Sequence, residues 1–240
     1  MSPRTDHNSG YKSPEEVRAM FGRIAARYDL MNRLMTFGQD LRWRRFMVSL
    51  LDLSPGASVL DIATGTGDIA LEVKRQYPTA QVIAADFALP MMLAGRGRSG
   101  ASDLAWSGAD AMNLAFGPEH FQAVTSGYLF RNVPDVERAF AEQYRILKPG
   151  GILATLDTTP PPDNFLKPFI VLHLKYGIPT LGRLISPDPE AYAYLPASTM
   201  RFQHPDDLAA LMRQAGFVDV QYRRFMFGTM AVHWGRKPAC

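Results

Sequence analysis

The apolar run Ser58-Val59-Leu60-Asp61-Ile62 passes through Ala63-Thr64 into Gly65-Thr66-Gly67, and a helical stretch from Asp68 to about Gln76 follows at once. A strand that turns on glycines straight into a helix opens a βαβ unit, which commits the chain to a mostly parallel sheet with helices on both faces. Later segments repeat the grammar. Gln81 to Ala85 ends on Asp86 before a helix through Pro90 to about Arg98, and Leu104 to Ala109, Ala123 to Ser126 and Ile152 to Asp157 read as further strands. A helix from Val133 to Leu147 closes on Lys148-Pro149-Gly150-Gly151, and one from Pro205 to Ala215 ends at Gly216. Phe217 to Arg223 and Thr229 to Arg236 read as a terminal antiparallel pair. The expected fold is α/β and Rossmann-like, with seven strands.

Two helical regions flank this core. Residues 1–12 read as a disordered tail, and Ser13-Pro14-Glu15-Glu16 carries an N-cap, a proline at the first helical position and a capping-box glutamate. Val17, Met20, Phe21 and Ile24 form an apolar stripe running toward Tyr28-Asp29, and a second helix spans about Asp40 to Leu51, with Arg42, Arg44 and Arg45 around Trp43. The expected division is a helical lid over 13–53, a cofactor-binding core over 57–158, a helical insertion over 160–200 behind Pro160-Pro161-Pro162, and a closing helix and strand pair over 204–237, all in one domain.

Composition excludes several classes. With 240 residues, 47% of them hydrophobic, the chain can bury a full core, and 26 basic against 23 acidic residues give only +3, well short of a dedicated nucleic-acid binder. The one cysteine, Cys240, leaves no disulfide framework, and the five histidines show no ligand spacing, so no metal is expected. Lacking a secretory h-region and any run of about 18 apolar residues, the chain is expected in the cytoplasm.

The glycine turn itself fits two ligands. Read as Gly65-x-Gly67-x-x-Ala70, with Asp86 placed to bind a ribose, it matches a dinucleotide fingerprint. A carboxylate at Asp61, just before the glycines, would repel a pyrophosphate and suits a cationic ligand such as S-adenosylmethionine, which is the preferred reading. Asp86 then takes the ribose hydroxyls, Asp110-Ala111 flanks the adenine, and Phe87 and Ser126 complete the expected cofactor set. Tyr144-x-x-x-Lys148 spells a dehydrogenase pair, but Tyr144 shares an apolar face with Phe140 and Val136 and reads as core.

Longer segments are more specific. Phe21-Gly22-Arg23-Ile24-Ala25-Ala26-Arg27-Tyr28-Asp29-Leu30-Met31-Asn32, the Leu60 to Ala70 segment, Arg131-Asn132-Val133, Leu147-Lys148-Pro149-Gly150-Gly151, Tyr194-Leu195-Pro196-x-Ser198, Ala215-Gly216-Phe217 and Ala231-Val232-His233-x-Gly235 together resemble the UbiE/MenG family of quinone-biosynthesis C-methyltransferases. The resemblance implies a class I methyltransferase fold, S-adenosylmethionine as donor, a prenylated benzoquinol or naphthoquinol as acceptor, and cofactor roles for Thr66, Asp86, Asp110 and Ala111. Tyr128-Leu129-Phe130, Asp157-Thr158-Thr159 and the histidine-free Thr36-Phe37-Gly38-Gln39-Asp40 depart from the family pattern on the substrate side. They keep open another aromatic or polyketide-like acceptor, beside the further alternative of a non-catalytic cofactor-binding scaffold.

A quinol carbon becomes nucleophilic when the neighbouring hydroxyl ionises, and a free phenol titrates near about 10. Arg131 with Asn132 is expected to stabilise that oxyanion, against the plainer reading of a guanidinium paired with Asp157 or Asp135. Tyr28 and Asp29 are expected over the methyl donor, or else as a helix-end cap. Tyr128, Tyr194 and His204 are expected on the acceptor side; His204 and His233 are the candidate bases, with a helix N-terminus and a strand core as their plain readings. Phe165, Phe169, Leu172, Tyr176, Leu181 and Leu184, interleaved with Lys167, Lys175 and Arg183, predict either peripheral contact with an anionic membrane or a homodimer face.

Overall fold

The computed structural model describes residues 13–185 and 188–239, so the expected tail over 1–12 and Cys240 lie outside the described residues. In chain order its elements are α1 (Pro14–Ile24), α2 (Tyr28–Met35), α3 (Asp40–Ser49), β1 (Ser58–Ile62), α4 (Asp68–Gln76), β2 (Gln81–Asp86), α5 (Leu89–Arg96), β3 (Ala105–Gly108), β4 (Phe121–Gly127), α6 (Val136–Ile146), β5 (Leu147–Thr158), α7 (Lys167–Leu172), α8 (Ile178–Ile185), α9 (Pro189–Arg201), α10 (Pro205–Gln214), β6 (Val218–Phe225) and β7 (Met230–Arg236). The strands form one sheet in the order β3-β2-β1-β4-β5-β7-β6, parallel except for β7, which runs against both neighbours. This is the seven-stranded α/β fold expected, and its topological switch lies between β1 and β4, where open α/β sheets bind ligands.

Alternation along the strands sorts the two faces. Leu60 and Ile62 of β1 enter one core with Phe140 of α6 and Leu208 of α10; Val59 enters the other with Met47 of α3 and Val73 of α4. Tyr144 packs edge-on against Phe217, 5.2 Å between ring centres, so its dehydrogenase-like spacing is core packing. His233 is buried in β7 with Nε2 3.0 Å from the Pro205 carbonyl.

Three boundaries differ from expectation. The first helix stops at Ile24, and a single 3-10 turn, Ala25–Arg27, intervenes before α2. The break turns Tyr28 and Asp29 away from the α1 axis toward the glycine turn. Helix α6 begins three residues later than Val133, because the Asp135 side chain accepts the Arg138 amide hydrogen and caps it. Strand β5 begins at Leu147, with a register shift opposite Phe121 and Ala123 that accommodates Pro149.

Candidate active site

A cavity of about 380 Å³ opens across the carboxyl ends of β1 to β4. Its floor is Ile62, Ala63 and Gly65 at the end of β1, Asp86 and Phe87 at the end of β2, Ala109 to Met112 after β3, and Gly127 to Leu129 at the end of β4. Gly65 and Gly67 hold φ of +57° and +85°, and a Cβ on Gly67 would stand 2.8 Å from the Trp106 ring, so the turn needs glycine there on both counts. Ala63 and Tyr128 adopt left-handed backbone without being glycine, φ +55° and +59°, at corresponding places after β1 and β4. Such strain in neighbouring floor residues is characteristic of functional sites.

The Asp86 carboxylate accepts hydrogen bonds from the Gly65 and Ala88 amides, both at 2.7 Å, and burial raises its pKa. Asp110 accepts the Met112 amide hydrogen at 2.9 Å and keeps an exposed carboxylate at the rim. Glu15, Asp86 and Asp110 oppose Arg18 alone among the charged residues of the lining, and Arg18 stacks over Phe87, 5.4 Å to the ring centre. The cavity is therefore acidic and suits a ligand carrying positive charge; a dinucleotide's pyrophosphate would be repelled.

Four residues expected to touch the cofactor lie behind this surface. Asp61 is completely buried: alternation turns it onto the α4 side of the sheet, where its carboxylate accepts the Thr64 and Thr125 hydroxyls at 2.6 and 2.7 Å. Burial pushes its pKa up to about 7. Thr66 gives its hydroxyl to Asp29 at 2.6 Å, Gly67 packs on Trp106, and Ser126 bonds Thr155 inside the sheet at 2.9 Å. These groups shape the turn from below, while Gly65, Asp86, Phe87, Asp110 and Ala111 form its open face.

A second cavity, about 340 Å³ and mainly apolar, lies between α2, the end of β5, the β6–β7 turn and the insertion. Tyr28 and Tyr128 line both cavities and form the wall between them. Arg131 lines the second cavity and Asn132 the first, so two consecutive residues serve opposite sides of that wall. The Arg131 guanidinium lies over the Tyr128 ring, 4.9 Å to its centre, and its Nε stands 3.7 Å from Asp157 Oδ1, too far for a hydrogen bond. Asp157 also accepts the Arg131 amide hydrogen at 3.3 Å, and burial raises its pKa to about 6, against the pull of Arg131. Burial raises both tyrosines, Tyr128 to about 12, although Arg131 and Arg44 pull each of them down.

Tyr194 enters neither cavity; its hydroxyl donates to Asn132 Oδ1 at 3.1 Å, while the Asn132 amide holds the Tyr128 carbonyl at 2.7 Å. His204 sits exposed at the N-cap of α10, outside both cavities, because Pro205 starts the helix there. His233 is locked in the sheet with its pKa driven down to about 4 by burial, which leaves it neutral and remote from the cavities. Sequence reasoning assigned no role to Asn32, which lines the second cavity from α2, and placed Thr158 on the substrate side only as part of the Asp157-Thr158-Thr159 departure; Thr158 lines the same cavity. Among the described residues, no group of three His, Cys, Asp or Glu side chains is placed to hold a metal ion.

The ubiE/COQ5 methyltransferase family matches residues 8–237. The ubiquinone/menaquinone biosynthesis C-methyltransferase UbiE of Desulfotalea psychrophila is 53% identical over 92% of this chain and 90% of its own. The demethylmenaquinone methyltransferase of Thermus thermophilus is 45% identical over 91% of this chain and 100% of its own. Among solved structures, a SAM-dependent methyltransferase from Thermotoga maritima shares the fold, with a TM-score of 0.66 and 22% identity over 91% of this chain and 98% of that one.

Proposed function

The chain belongs to the ubiE/COQ5 methyltransferase family, and on that premise we propose that it is an S-adenosylmethionine-dependent C-methyltransferase that methylates a ring carbon of a prenylated quinol, demethylmenaquinol or a ubiquinol precursor. One observation carries the reading: an acidic cavity at the switch point and an apolar one beside it share a wall of Tyr28 and Tyr128. S-adenosylmethionine in the acidic cavity supplies an activated methyl electrophile. Asp86 is the ribose acceptor, with Phe87, Asp110 and Ala111 around the adenine; Asp61, Thr66, Gly67 and Ser126 hold the turn that carries them.

The acceptor ring belongs in the apolar cavity, and Arg131 is placed to favour its ionised hydroxyl. Asp157 keeps that guanidinium oriented. Both wall tyrosines stay neutral at physiological pH, so neither adds a negative charge against the forming phenolate. Asn132 fixes the Tyr128 backbone and is itself fixed by Tyr194, which makes Tyr194 a positioning residue.

Labelled methyl transfer to short-chain demethylmenaquinol and to a demethoxy-benzoquinol tests the activity. Arg131→Ala is expected to lower kcat roughly 10²-fold while leaving donor binding unchanged. Its rate should climb with pH, because the phenolate must then form unaided. Parent-like turnover by Arg131→Ala would remove the oxyanion role, and transfer to other phenols alone would remove the quinol.

We propose further that the protein works in the cytoplasm, lying on the membrane surface. Among the described residues no helix is long and apolar enough to cross a membrane. A cavity of about 340 Å³ takes a ring but not a long isoprenoid tail, which must leave through the mouth. That mouth is rimmed by exposed aromatic side chains.

A further inference from the structure

Buried polar groups in folded proteins are nearly always hydrogen-bonded, so those left over in a cavity mark where a ligand atom belongs. Three residues that line the apolar cavity carry such atoms: Arg131 Nε and Thr158 Oγ1 are buried without a hydrogen-bond partner, and the buried Asn32 Nδ2 has only the Tyr28 hydroxyl beside it. They come from α2, the turn after β4 and the last residue of β5, three segments brought together only by the fold. The rest of the lining is dominated by Met35, Leu166, Ile170, Leu174 and Met230. An apolar ligand with a few fixed oxygens is what such a cavity would satisfy.

The three donors divide by position. Asn32 and Arg131 both lie beside the donor-side wall: the Arg131 guanidinium sits 4.9 Å over the Tyr128 ring, and the Asn32 amide bonds the Tyr28 hydroxyl. Thr158 follows Asp157, whose carboxylate faces Arg131, and strand alternation turns the Thr158 side chain to the opposite face, that of its antiparallel partner Met230. One oxygen cannot meet groups on both faces of β5, whereas a ring bearing oxygens at opposite ends can.

From this we infer that Asn32 joins Arg131 on the acceptor oxygen next to the methylated carbon, and that Thr158 binds the oxygen across the ring, making it a determinant of specificity for a 1,4-dihydroxy aromatic. The inference rests on the proposed quinol acceptor and deepens it. Without an acceptor the Thr158 hydroxyl stays desolvated and unpaired, at a cost in free energy. Bound acceptor removes that cost, and a ring lacking the second oxygen does not.

The test compares 2-prenyl-1,4-naphthoquinol with 3-prenyl-1-naphthol, which keeps the hydroxyl beside the methylated carbon and lacks the other. Thr158→Val, equal in shape, is expected to raise KM for the diol about tenfold and leave the mono-ol unchanged. Asn32→Leu should lower turnover on both acceptors, with affinity for S-adenosylhomocysteine and the unfolding midpoint as in the parent; Asn32→Ser serves if the leucine variant does not fold. Equal effects of Thr158→Val on the two acceptors, or none on either, would overturn the assignment of Thr158. Parent-like turnover by both Asn32 variants would overturn that of Asn32. If the parent methylates neither compound, the proposed activity fails on its own, and calorimetric binding of the two compounds to protein loaded with S-adenosylhomocysteine still decides the inference: Thr158→Val must weaken only the diol.

Discussion

Asp61 shows how one strand position converts a ligand-facing expectation into a stability term. Its carboxyl titrates near 4 in an unfolded chain but at about 7 in the protein, because burial disfavours the ionised form more than the Thr64 and Thr125 hydroxyls favour it. A raised folded pKa contributes stability that is complete below about pH 4 and is lost as pH rises through 7. Asp61→Asn cannot ionise, so its stability relative to the parent should improve steadily from pH 5 to pH 8, by an amount on the order of a few kcal/mol. Thermal unfolding at several pH values checks this, and a difference independent of pH would show that Asp61 does not titrate in that range. The open face of the donor cavity was legible because Gly65, Asp86 and Asp110 each lie at or just past the carboxyl end of a strand, and the glycine turn announces the first of them. Asp61 was misplaced because proximity in sequence to the turn says nothing about which face of β1 a side chain takes. For Asn32 and Thr158 the sequence offers only their segments, one in the family resemblance and one in a substrate-side departure; the role of each side chain comes from a cavity that α2 and β5 close together.

At the scale of elements, the lid is fastened to the core through charge. Asp29 on α2 accepts the Thr66 hydroxyl of the glycine turn and pairs with Arg98 at 3.3 Å, while Arg98 also reaches Asp68 at 2.7 Å. Asp68, at the first position of α4, pairs further with Arg33 of α2 and Arg44 of α3, and both arginines also bind Asp40. Burial works against the Asp68 charge, but Arg44, Arg98 and Arg33 together hold its carboxyl below the usual range. Three carboxylates thus balance three guanidiniums across the joint between lid and donor cavity. The Thr66–Asp29 bond, at 2.6 Å, ties α2 directly to the glycine turn, with Arg98 3.3 Å from the same hydroxyl, so Asp29→Ala and Thr66→Val should each weaken S-adenosylhomocysteine binding roughly five- to tenfold, and the double variant should be no worse than either. Calorimetric titration measures all three, and additive losses would mean the two residues act separately. The strands and most helices of this frame could be read from periodicity and glycine punctuation. The 3-10 break before Tyr28 could not, because the apolar stripe continues through it, and what stops the helix is the docking of Asp29 on a turn more than thirty residues downstream.

On the molecule as a whole, exposed aromatic side chains gather around one opening. Phe37, at the turn between α2 and α3, is 78% exposed, Phe227 in the β6–β7 turn 70%, and Phe169 on α7 68%, and all three line the acceptor cavity. Phe165, Leu172 and Tyr176 continue the Phe169 face at helical spacing, and Lys175 lies over the Tyr176 ring. Phe37 and Phe227 also hold φ of +52° and +53°, a backbone that bulky residues rarely adopt. Keeping large rings at two strained, solvent-facing tips costs both strain and apolar exposure, and insertion into a lipid surface offsets the second cost by about 1.5–3 kcal/mol for each ring. Cations threaded through the insertion fit an anionic headgroup layer. Asparagine tolerates left-handed backbone better than phenylalanine, so the double variant Phe37→Asn, Phe227→Asn should unfold no lower than the parent while losing at least tenfold in binding to phosphatidylglycerol-containing vesicles. Its KM should rise at least tenfold more for a vesicle-embedded long-tailed quinol than for a soluble short-tailed one, because the variant loses the approach from lipid while most of the cavity lining stays. Vesicle binding equal to the parent's would sink the membrane assignment. A concentration-dependent dimer of the parent that the double variant abolishes, with no vesicle binding by either, would give the rim to a second copy of the chain instead.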